Sequence, residues 1–302
     1  MVSVIITTHN RVNLLGRAIK SVLSQTYKDI ELIIVSDGST DGTDEFMKQY
    51  ESDSIVNYIS YYPGRGGNYA RNIGIKTAKG EYIAFLDDDD EWLTTKVEKQ
   101  VKIMNSDPDI GLVYTGTHSI FVDDGIEFNS CPKNQGDLSK KILHHNIIGS
   151  TTTVMVRKSV FDKSGLFDET LCAIQDYDLW VRICQSVKVG VISAPMVNYY
   201  NYKNTRQIST NLEKYEIEYN YVNQKYDKLI KNNLSILEIK QKLASQKRVL
   251  ALKALRNGNG REARLFLRRS LKCCFEKRTI LYYLLSYFGY NFMLKIRSHR
   301  NN

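Results

Sequence analysis

Long apolar runs are missing from this 302-residue sequence, and so are the cysteine patterns of disulfide-rich or zinc-binding proteins. No stretch reaches the roughly 18 consecutive apolar residues that a membrane-spanning helix needs. Met1 is followed at once by a strand-like segment without a charged leader, so we expect no signal peptide and a cytoplasmic protein. The five cysteines are odd in number and form no Cys-x-x-Cys pair, which indicates reduced thiols: Cys131, Cys172, Cys184, Cys273 and Cys274.

The net charge of +9 is unevenly distributed along the chain. Residues 203–302 contain 22 Lys and Arg against seven Asp and Glu, whereas residues 1–202 contain 20 against 26. Such a division indicates two functional regions. We predict an α/β domain at residues 1–205 and a basic α-helical region at residues 206–302. The basic region is suited to the anionic inner face of a membrane, and because no nucleic-acid-binding module is recognisable we expect no nucleic-acid partner.

The first 90 residues alternate between strand and helix patterns. Residues 2–8 and 31–36 are β-branched apolar runs, and residues 14–25 between them carry apolar side chains at helical spacing. This alternation predicts an α/β fold with a mixed, mostly parallel central sheet flanked by helices. No Gly-x-Gly-x-x-Gly fingerprint follows the first strand, which argues against a nicotinamide-dependent dehydrogenase.

Four consecutive aspartates, Asp87 to Asp90, follow the short apolar run 82–86. In open α/β sheets, ligands bind at the carboxyl ends of the strands. Neighbouring carboxylates repel one another and raise each other's pKa, and either water or a bound cation offsets this. The segment is therefore either a solvated acidic turn or a site for Mg²⁺ or Mn²⁺. We assign Asp90 no ligand role and expect it to cap the helix that starts after Trp92.

Later segments leave further alternatives. We predict a polar loop at residues 123–139, a strand at 150–157 and a helical hairpin at 251–274. Asp176 lies in the first turn of a predicted helix, where the helix macrodipole favours an acid even without a chemical role. Residues 280–296 are aromatic and aliphatic between basic flanks, which fits either an interfacial membrane anchor or a core helix.

Four segments carry a resemblance to a known family: VSVIITTHNR, IELIIVSDGSTDGT, YARNIGIKTAKGEYIAFLDDDDEW and DYDLWVR. In this order they resemble the inverting family-2 glycosyltransferases of the GT-A fold, of the type that makes bacterial surface polysaccharides. The resemblance implies a metal-dependent enzyme. Such an enzyme moves a sugar from a nucleotide-sugar, by family habit a UDP-sugar, to a hydroxyl of a glycan or lipid-linked acceptor. The alternative is a non-catalytic protein of the same fold that binds sugar nucleotides or polyanions.

The resemblance also implies roles for individual residues. Asp176 matches the proposed catalytic base, and Asp87 and Asp89 match the ligands of Mn²⁺ or Mg²⁺. Trp180 is expected either to line the acceptor side or to lie in the core. The implied contacts of the nucleotide-sugar are Thr7, His9, Arg11, Asp37, Arg71 and Asp88. The sequence departs from the family at His9, where relatives often have Tyr, and at Gln175, where they usually have Glu.

Overall fold

The computed structural model describes residues 1–202 and 212–301. Within these residues, nine strands form one sheet, and twelve α-helices flank or follow it. The strands are β1 (Val2–Thr8), β2 (Ile30–Asp37), β3 (Val56–Tyr61), β4 (Tyr82–Asp87), β5 (Glu91–Trp92), β6 (Ile110–Phe121), β7 (Ile126–Ser130), β8 (Met155–Arg157) and β9 (Lys188–Asn201). The helices are α1 (Val12–Leu23), α2 (Thr43–Met47), α3 (Gly67–Thr77), α4 (Lys96–Ser106), α5 (Val160–Ser164), α6 (Gln175–Cys184), α7 (Leu212–Lys225), α8 (Asp227–Asn233), α9 (Ile236–Arg256), α10 (Gly260–Cys273), α11 (Lys277–Leu285) and α12 (Tyr290–Asn301).

Strands β1 to β4 are parallel and lie in the order β3-β2-β1-β4. Alternate residues of β1 pack into two cores, one on each face of the sheet, which explains its uninterrupted apolar sequence. Helix α3 lies so close to β1 that a Cβ on Gly74 would be 2.6 Å from Cγ2 of Ile5, so this position requires glycine. The predicted α/β fold is confirmed.

The other half of the sheet adds antiparallel pairs. β8 is antiparallel to both β4 and β6, whereas β6 and β9 are parallel. The short β5, directly after the four aspartates, pairs with β9. This pairing connects the end of β4 to the far edge of the sheet, and it makes the sheet mixed, as predicted.

Two local predictions were wrong. The predicted loop 123–139 contains β7, because Ile126 and Phe128 pack in a small cluster that includes Phe121 of β6. Of the predicted strand 150–157, only Met155–Arg157 is a strand. The Oγ of Ser150 accepts a hydrogen bond from the N–H of Thr152 and caps a short 3₁₀ turn there, although threonines favour strands.

The C-terminal helices pack directly on the α/β core. Val222, Ile230 and Leu234 belong to the same buried cluster as Trp180 of α6. The predicted helical hairpin is formed by α9 and α10, with the side chain of Asn259 accepting a hydrogen bond from the N–H of Glu262 at the start of α10. The proposed boundary between residues 205 and 206 lies outside the described residues and stays a prediction.

The aromatic segment 280–296 forms parts of two helices that meet near Gly289, whose φ of +83° favours glycine. Met293 and Leu294 are buried, whereas Leu284 and Phe288 are 57% and 68% exposed. The segment is therefore neither a single core helix nor a single anchor helix. No helix within residues 1–202 and 212–301 combines the length and hydropathy needed to cross a bilayer.

Candidate active site

The carboxyl ends of β1, β2 and β4 bring several of the predicted residues to one edge of the sheet. Thr7 is the register partner of Asp87 on β4 and of Val35 on β2. Asp37 is the last residue of β2. Parallel pairing alone therefore places the ends of β1, β2 and β4 side by side, at the edge where α/β sheets bind ligands.

Asp37 uses both carboxylate oxygens to hold a neighbouring loop. Its Oδ1 accepts hydrogen bonds from the hydroxyl of Tyr61 at 2.8 Å and from the N–H of Arg65 at 2.6 Å. Its Oδ2 accepts from the N–H of Gly66 at 2.8 Å. Asp37 is only 7% exposed, so its evident structural role is to fix the loop before α3 against the end of β2.

His9 and Asn10 connect the loops that follow β1 and β2. The Nδ1 of His9 donates to the carbonyl oxygen of Asp37 at 2.6 Å. Asn10 has a φ of +53°, and its Oδ1 accepts from the N–H of Thr40 at 2.7 Å. Both side chains are exposed on this edge, where an incoming ligand can reach them.

Arg11 forms ion pairs with two of the four aspartates. Its Nη1 lies 3.0 Å from Oδ1 of Asp88 and 3.0 Å from Oδ2 of Asp89. Burial raises the pKa of the Asp88 carboxyl, and the Arg11 guanidinium opposes that shift. Burial, together with the charges of Asp87 and Asp88, raises the pKa of Asp89 to about 6. Arg11 is thus an internal counter-ion for a crowded acidic site.

Asp87 pairs with a different arginine. The Nη2 of Arg71, on α3, lies 3.1 Å from its Oδ1. The hydroxyls of Ser150 and Thr151 donate weaker hydrogen bonds to the same carboxylate, at 3.4 and 3.3 Å. These two residues were missed in the sequence because their run of hydroxyl and β-branched residues favours an ordinary strand.

Asp90 does not cap a helix, contrary to the prediction. It is 1% exposed, and its Oδ1 accepts from the N–H of Tyr200 on β9 at 3.1 Å. The next helix, α4, begins only at Lys96. Asp90 therefore ties β9 to the end of β4. The burial of Asp88 and Asp90 contradicts a solvated acidic turn, since Asp88 is 3% exposed.

The donor set fits a hard divalent cation that is shared with a ligand. No three His, Cys, Asp or Glu side chains among residues 1–202 and 212–301 converge on one metal position. The carboxylates of Asp87 and Asp89 stay 25% and 15% exposed. The pKa of Asp89 is raised first by burial and then by the repulsion of Asp87 and Asp88, which a cation would relieve. Mg²⁺ and Mn²⁺ are commonly bound by one or two carboxylates together with substrate phosphates.

Asp176 stands at the start of α6, behind a strained residue. Ile174 has a φ of +45°, which is costly for a β-branched side chain and marks functional sites in many proteins. The Oδ1 of Asp176 accepts from the N–H of Tyr177 at 2.7 Å, and its Oδ2 accepts from Nδ2 of Asn146 at 3.1 Å. Burial raises the pKa of Asp176 to about 6, helped by the charge of Asp87 and opposed by the Tyr177 N–H and by Arg71.

Asp176 also lines a cavity of about 280 Å³. One wall comes from the α/β part of the chain and the opposite wall from α7 and α9. Apart from helical spacing on α7 and α9, no pattern in the sequence indicates this arrangement. The lining residues from these two helices are Tyr215, Tyr219, Ser245, Gln246, Val249 and Lys253. Trp180 lies in the core, fully buried, with its Nε1 donating to the carbonyl of Gly149 at 2.9 Å.

Residues 3–165 match the profile of the family described as Glycosyl transferase family 2. The chain belongs to that family. This membership and the mixed α/β fold confirm the prediction of a glycosyltransferase that uses a nucleotide-sugar. The individual roles of the site residues stay predictions.

Family-2 relatives cover most of this chain. An uncharacterized glycosyltransferase of Rickettsia typhi is 35% identical over 227 residues, 72% of this chain and 69% of the relative. The Escherichia coli enzyme UDP-Glc:alpha-D-GlcNAc-diphosphoundecaprenol beta-1,3-glucosyltransferase WfaP is 33% identical over 216 residues, 70% of this chain and 80% of that protein. Against four other Rickettsia glycosyltransferases, the alignments cover only 27% to 58% of the relative, so those proteins are longer than the matched part.

Solved structures share the fold of this family-2 glycosyltransferase. The mannosyltransferase PcManGT from Pyrobaculum calidifontis, in complex with GDP-Man and Mn²⁺, superposes with a TM-score of 0.60 and 16% identity. The superposition covers 98% of this chain and 86% of that one. It therefore includes the C-terminal helices as well as the α/β part.

Proposed function

We propose that this chain is an inverting, metal-dependent glycosyltransferase that moves a sugar from a UDP-sugar to a hydroxyl of a lipid-linked glycan acceptor. The observation that carries the proposal is the position of Asp176. Its half-buried carboxylate lies within electrostatic reach of Arg71 and Asp87 on one side and lines a cavity on the other. A base between a donor site and an acceptor site is what in-line attack on an anomeric carbon requires.

On the donor side, the nucleotide-sugar lies along the strand ends, against Thr7, His9, Asp37 and the exposed loops around them. Arg71 faces the diphosphate, as does Arg11 once it turns from its carboxylates. Asp87 and Asp89 would hold Mn²⁺ or Mg²⁺. When bound, such a cation supplies positive charge that stabilises the diphosphate leaving group.

On the acceptor side, Asp176 accepts the proton of the attacking hydroxyl. A base must be ionised, and with a pKa of about 6 the Asp176 carboxyl is largely ionised at neutral pH while keeping a useful basicity. Asn146 holds Oδ2 by its hydrogen bond and so fixes the plane of the carboxylate. Attack from the side opposite the leaving group inverts the anomeric carbon.

Two relatives support the choice of substrates and metal. The name of WfaP specifies UDP-Glc as donor and a GlcNAc-diphosphoundecaprenol as acceptor, which favours a UDP-sugar and a lipid-linked acceptor here as well. The Mn²⁺ in the complex of PcManGT favours a divalent cation here as well. Such an activity belongs to the synthesis of surface polysaccharides.

The experiment is a screen of UDP-sugars and GDP-sugars with Mn²⁺, scoring donor hydrolysis and transfer to a GlcNAc-diphospholipid for the wild type and for Asp176→Asn. We expect metal-stimulated turnover by the wild type, a loss of at least 100-fold in Asp176→Asn, and equal UDP affinity in both, since general-base catalysis contributes about 10²–10⁴-fold. Tight nucleotide binding without turnover in either protein would support the alternative, a non-catalytic sugar-nucleotide-binding protein.

The C-terminal helices also carry a surface suited to an anionic membrane. Aromatic and aliphatic side chains of this surface are highly exposed, and arginines stack among them. Arg264 lies 4.5 Å from the ring centroid of Tyr287, and Arg268 lies 5.5 Å from that of Tyr283. Interfacial anchors combine such residues, because rings enter the headgroup layer while guanidinium groups meet lipid phosphates. The exposed residues are Phe275, Leu281, Leu284, Tyr287, Phe288 and Phe292. The enzyme accordingly works at the inner face of the membrane.

Vesicle flotation tests this surface. We expect the full chain to float with vesicles that contain phosphatidylglycerol and much less with pure phosphatidylcholine. Leu284→Ser with Phe288→Ser should remove most of the binding. The matched control is Ile236→Ser with Leu237→Ser, which alters two side chains that are 77% and 59% exposed at the start of α9. Equal flotation of both double variants would contradict the membrane assignment.

A further inference from the structure

Lys253 places an ammonium group in the wall of the Asp176 cavity. It lies near the end of α9, and its Nζ is 3.9 Å from the centroid of the Tyr215 ring. Within residues 1–202 and 212–301, no carboxylate forms an ion pair with it. Half-buried cations without a carboxylate partner are costly, because burial removes water without supplying an opposite charge. The arrangement therefore calls for an anion from elsewhere.

The charges around Lys253 are consistent with a site for an external anion. Burial and the positive charge of Arg256 together lower the pKa of Lys253 to about 8, and the negative charge of Asp176 opposes that shift. The group is thus still largely protonated at neutral pH. Asp176 acts on Lys253 only through its charge, since its two carboxylate oxygens accept hydrogen bonds from Nδ2 of Asn146 and from the N–H of Tyr177.

The last turn of α9 connects this cavity to the exposed aromatic surface. Arg256 follows Lys253 by three positions and lines a second cavity of about 530 Å³. The other walls of that second cavity include Tyr287 and Phe288, which belong to the surface suited to a membrane. Two basic side chains therefore lie between the proposed base and the proposed lipid side of the protein.

We propose that Lys253, assisted by Arg256, binds the diphosphate of a lipid-linked acceptor and thereby presents the acceptor hydroxyl to Asp176. This inference rests on the proposed function and goes beyond it by naming the group that recognises the acceptor. The sugar of the acceptor occupies the Asp176 cavity, the diphosphate lies along the last turn of α9, and the lipid leaves toward α11 and α12. Lys253 is a binding residue, and it takes no proton from the reacting hydroxyl.

Direct binding tests the inference without turnover. The full chain is saturated with UDP and Mn²⁺, so that the donor site is closed to other phosphates, and two probes are titrated by calorimetry. One probe is GlcNAc linked to an undecyl chain through a diphosphate, and the other is undecyl GlcNAc without the diphosphate. We expect Lys253→Gln to lower the affinity for the diphosphate probe at least tenfold and to change the affinity for the other probe by less than twofold.

Three further variants serve as controls. Lys240→Gln removes an exposed lysine of the same helix and should bind both probes like the wild type. Lys253→Arg should restore most of the affinity for the diphosphate probe. Lys253→Met keeps an apolar side chain against Tyr215. If the lost charge, and not lost packing, causes the lower affinity, Lys253→Met should bind the diphosphate probe as weakly as Lys253→Gln.

Kinetics separate this inference from the proposed function. In transfer assays, Lys253→Gln should raise the acceptor KM while leaving the donor KM and the rate of donor hydrolysis unchanged. If Lys253→Gln loses affinity for both probes equally, or for neither, the proposed anion site is wrong even when the wild type transfers sugar. If the wild type transfers no sugar to any acceptor, the proposed function fails, whatever the probes show.

Discussion

Asn146 donates a hydrogen bond from its Nδ2 to Oδ2 of Asp176 over 3.1 Å. The same side chain also organises its own turn, because its Oδ1 accepts from the N–H groups of Ile148 and Gly149 at 3.2 and 2.9 Å. A rigid turn thus holds the proposed base in one orientation. This contact joins residues that are 30 positions apart and gives the first two predictions.

The rate of sugar transfer should follow the ionisation of Asp176. Its pKa is raised to about 6 by burial and by the charge of Asp87, and only the ionised form accepts a proton. We expect kcat/KM to rise about tenfold per pH unit below pH 6 and to level off above it. Initial rates between pH 4.5 and 8, with circular dichroism to exclude unfolding, check this. A flat profile down to pH 5 would argue against Asp176 as the base.

Asn146→Ala should move that profile to higher pH. The lost hydrogen bond stabilises the charged form of Asp176, and bonds to charged groups contribute about 1.5–3 kcal/mol, so the acid limb should shift by about one pH unit or more. Asn146→Ser keeps a donor and should shift it less. A lower rate with an unchanged pH profile would mean that Asn146 only stabilises the conformation of its turn and does not alter the pKa of Asp176.

Removing Arg11 should tighten metal binding in the absence of donor. Its guanidinium pairs with Asp88 and Asp89 at 3.0 Å, and a cation bound to Asp89 must displace it. Arg11→Gln should therefore raise the affinity for Mn²⁺ about tenfold, which corresponds to about 1.4 kcal/mol. Mn²⁺ titration followed by electron paramagnetic resonance measures this, with Asp89→Asn as the variant that should lose binding.

If Arg11→Gln and the wild type bind Mn²⁺ equally, the cation lies away from Asp89. The donor then gives a second readout. Arg11→Gln should bind UDP more weakly than the wild type at saturating Mn²⁺, because one of the two arginines proposed for the diphosphate is missing.

The buried carboxylate of Asp178 should contribute strongly to stability. It is fully buried, and its oxygens lie 2.8 Å from Nη2 of Arg182, 2.8 Å from Nζ of Lys225 and 2.8 Å from the hydroxyl of Tyr226. These contacts join α6 to the helices that follow residue 212. Asp178→Ala removes the carboxylate partner of Arg182 and one of the two carboxylates that pair with Lys225, the other being Asp168 at 2.8 Å. The variant should lower the free energy of unfolding by about 3–5 kcal/mol.

The control for Asp178 is an exposed ion pair of the same geometry. Asp227 and Lys231 are also 2.8 Å apart, but both side chains are more than half exposed, at 56% and 67%. Asp227→Ala should lower the free energy of unfolding by less than about 0.5 kcal/mol. Urea unfolding of both variants measures the difference, and similar losses would show that burial does not govern this network.

Local sequence patterns were sufficient to predict the α/β fold and the edge of the sheet at which the candidate site lies. Apolar runs of β1, β2 and β4 fix which residues come last on each strand, and parallel pairing then sets Thr7 beside Asp87. Both features depend on local sequence patterns and on one pairing rule, so hydrophobic periodicity is enough to predict them. The candidate roles of the site residues likewise came from local sequence, because each of the four family segments is a contiguous stretch.

Which partner each site residue contacts depends on tertiary packing, and no local pattern predicts it. Asp90 accepts a hydrogen bond from β9, and Asp87 forms an ion pair with Arg71. Asp88 and Asp89 both form ion pairs with Arg11, although all four residues are aspartates. The acceptor side could not be predicted either, because Asn146 contacts Asp176 from a turn 30 positions earlier and Lys253 lines the same cavity from a later helix. Such contacts depend on how distant elements pack, and hydrophobic spacing within one element carries no information about the neighbour it will meet.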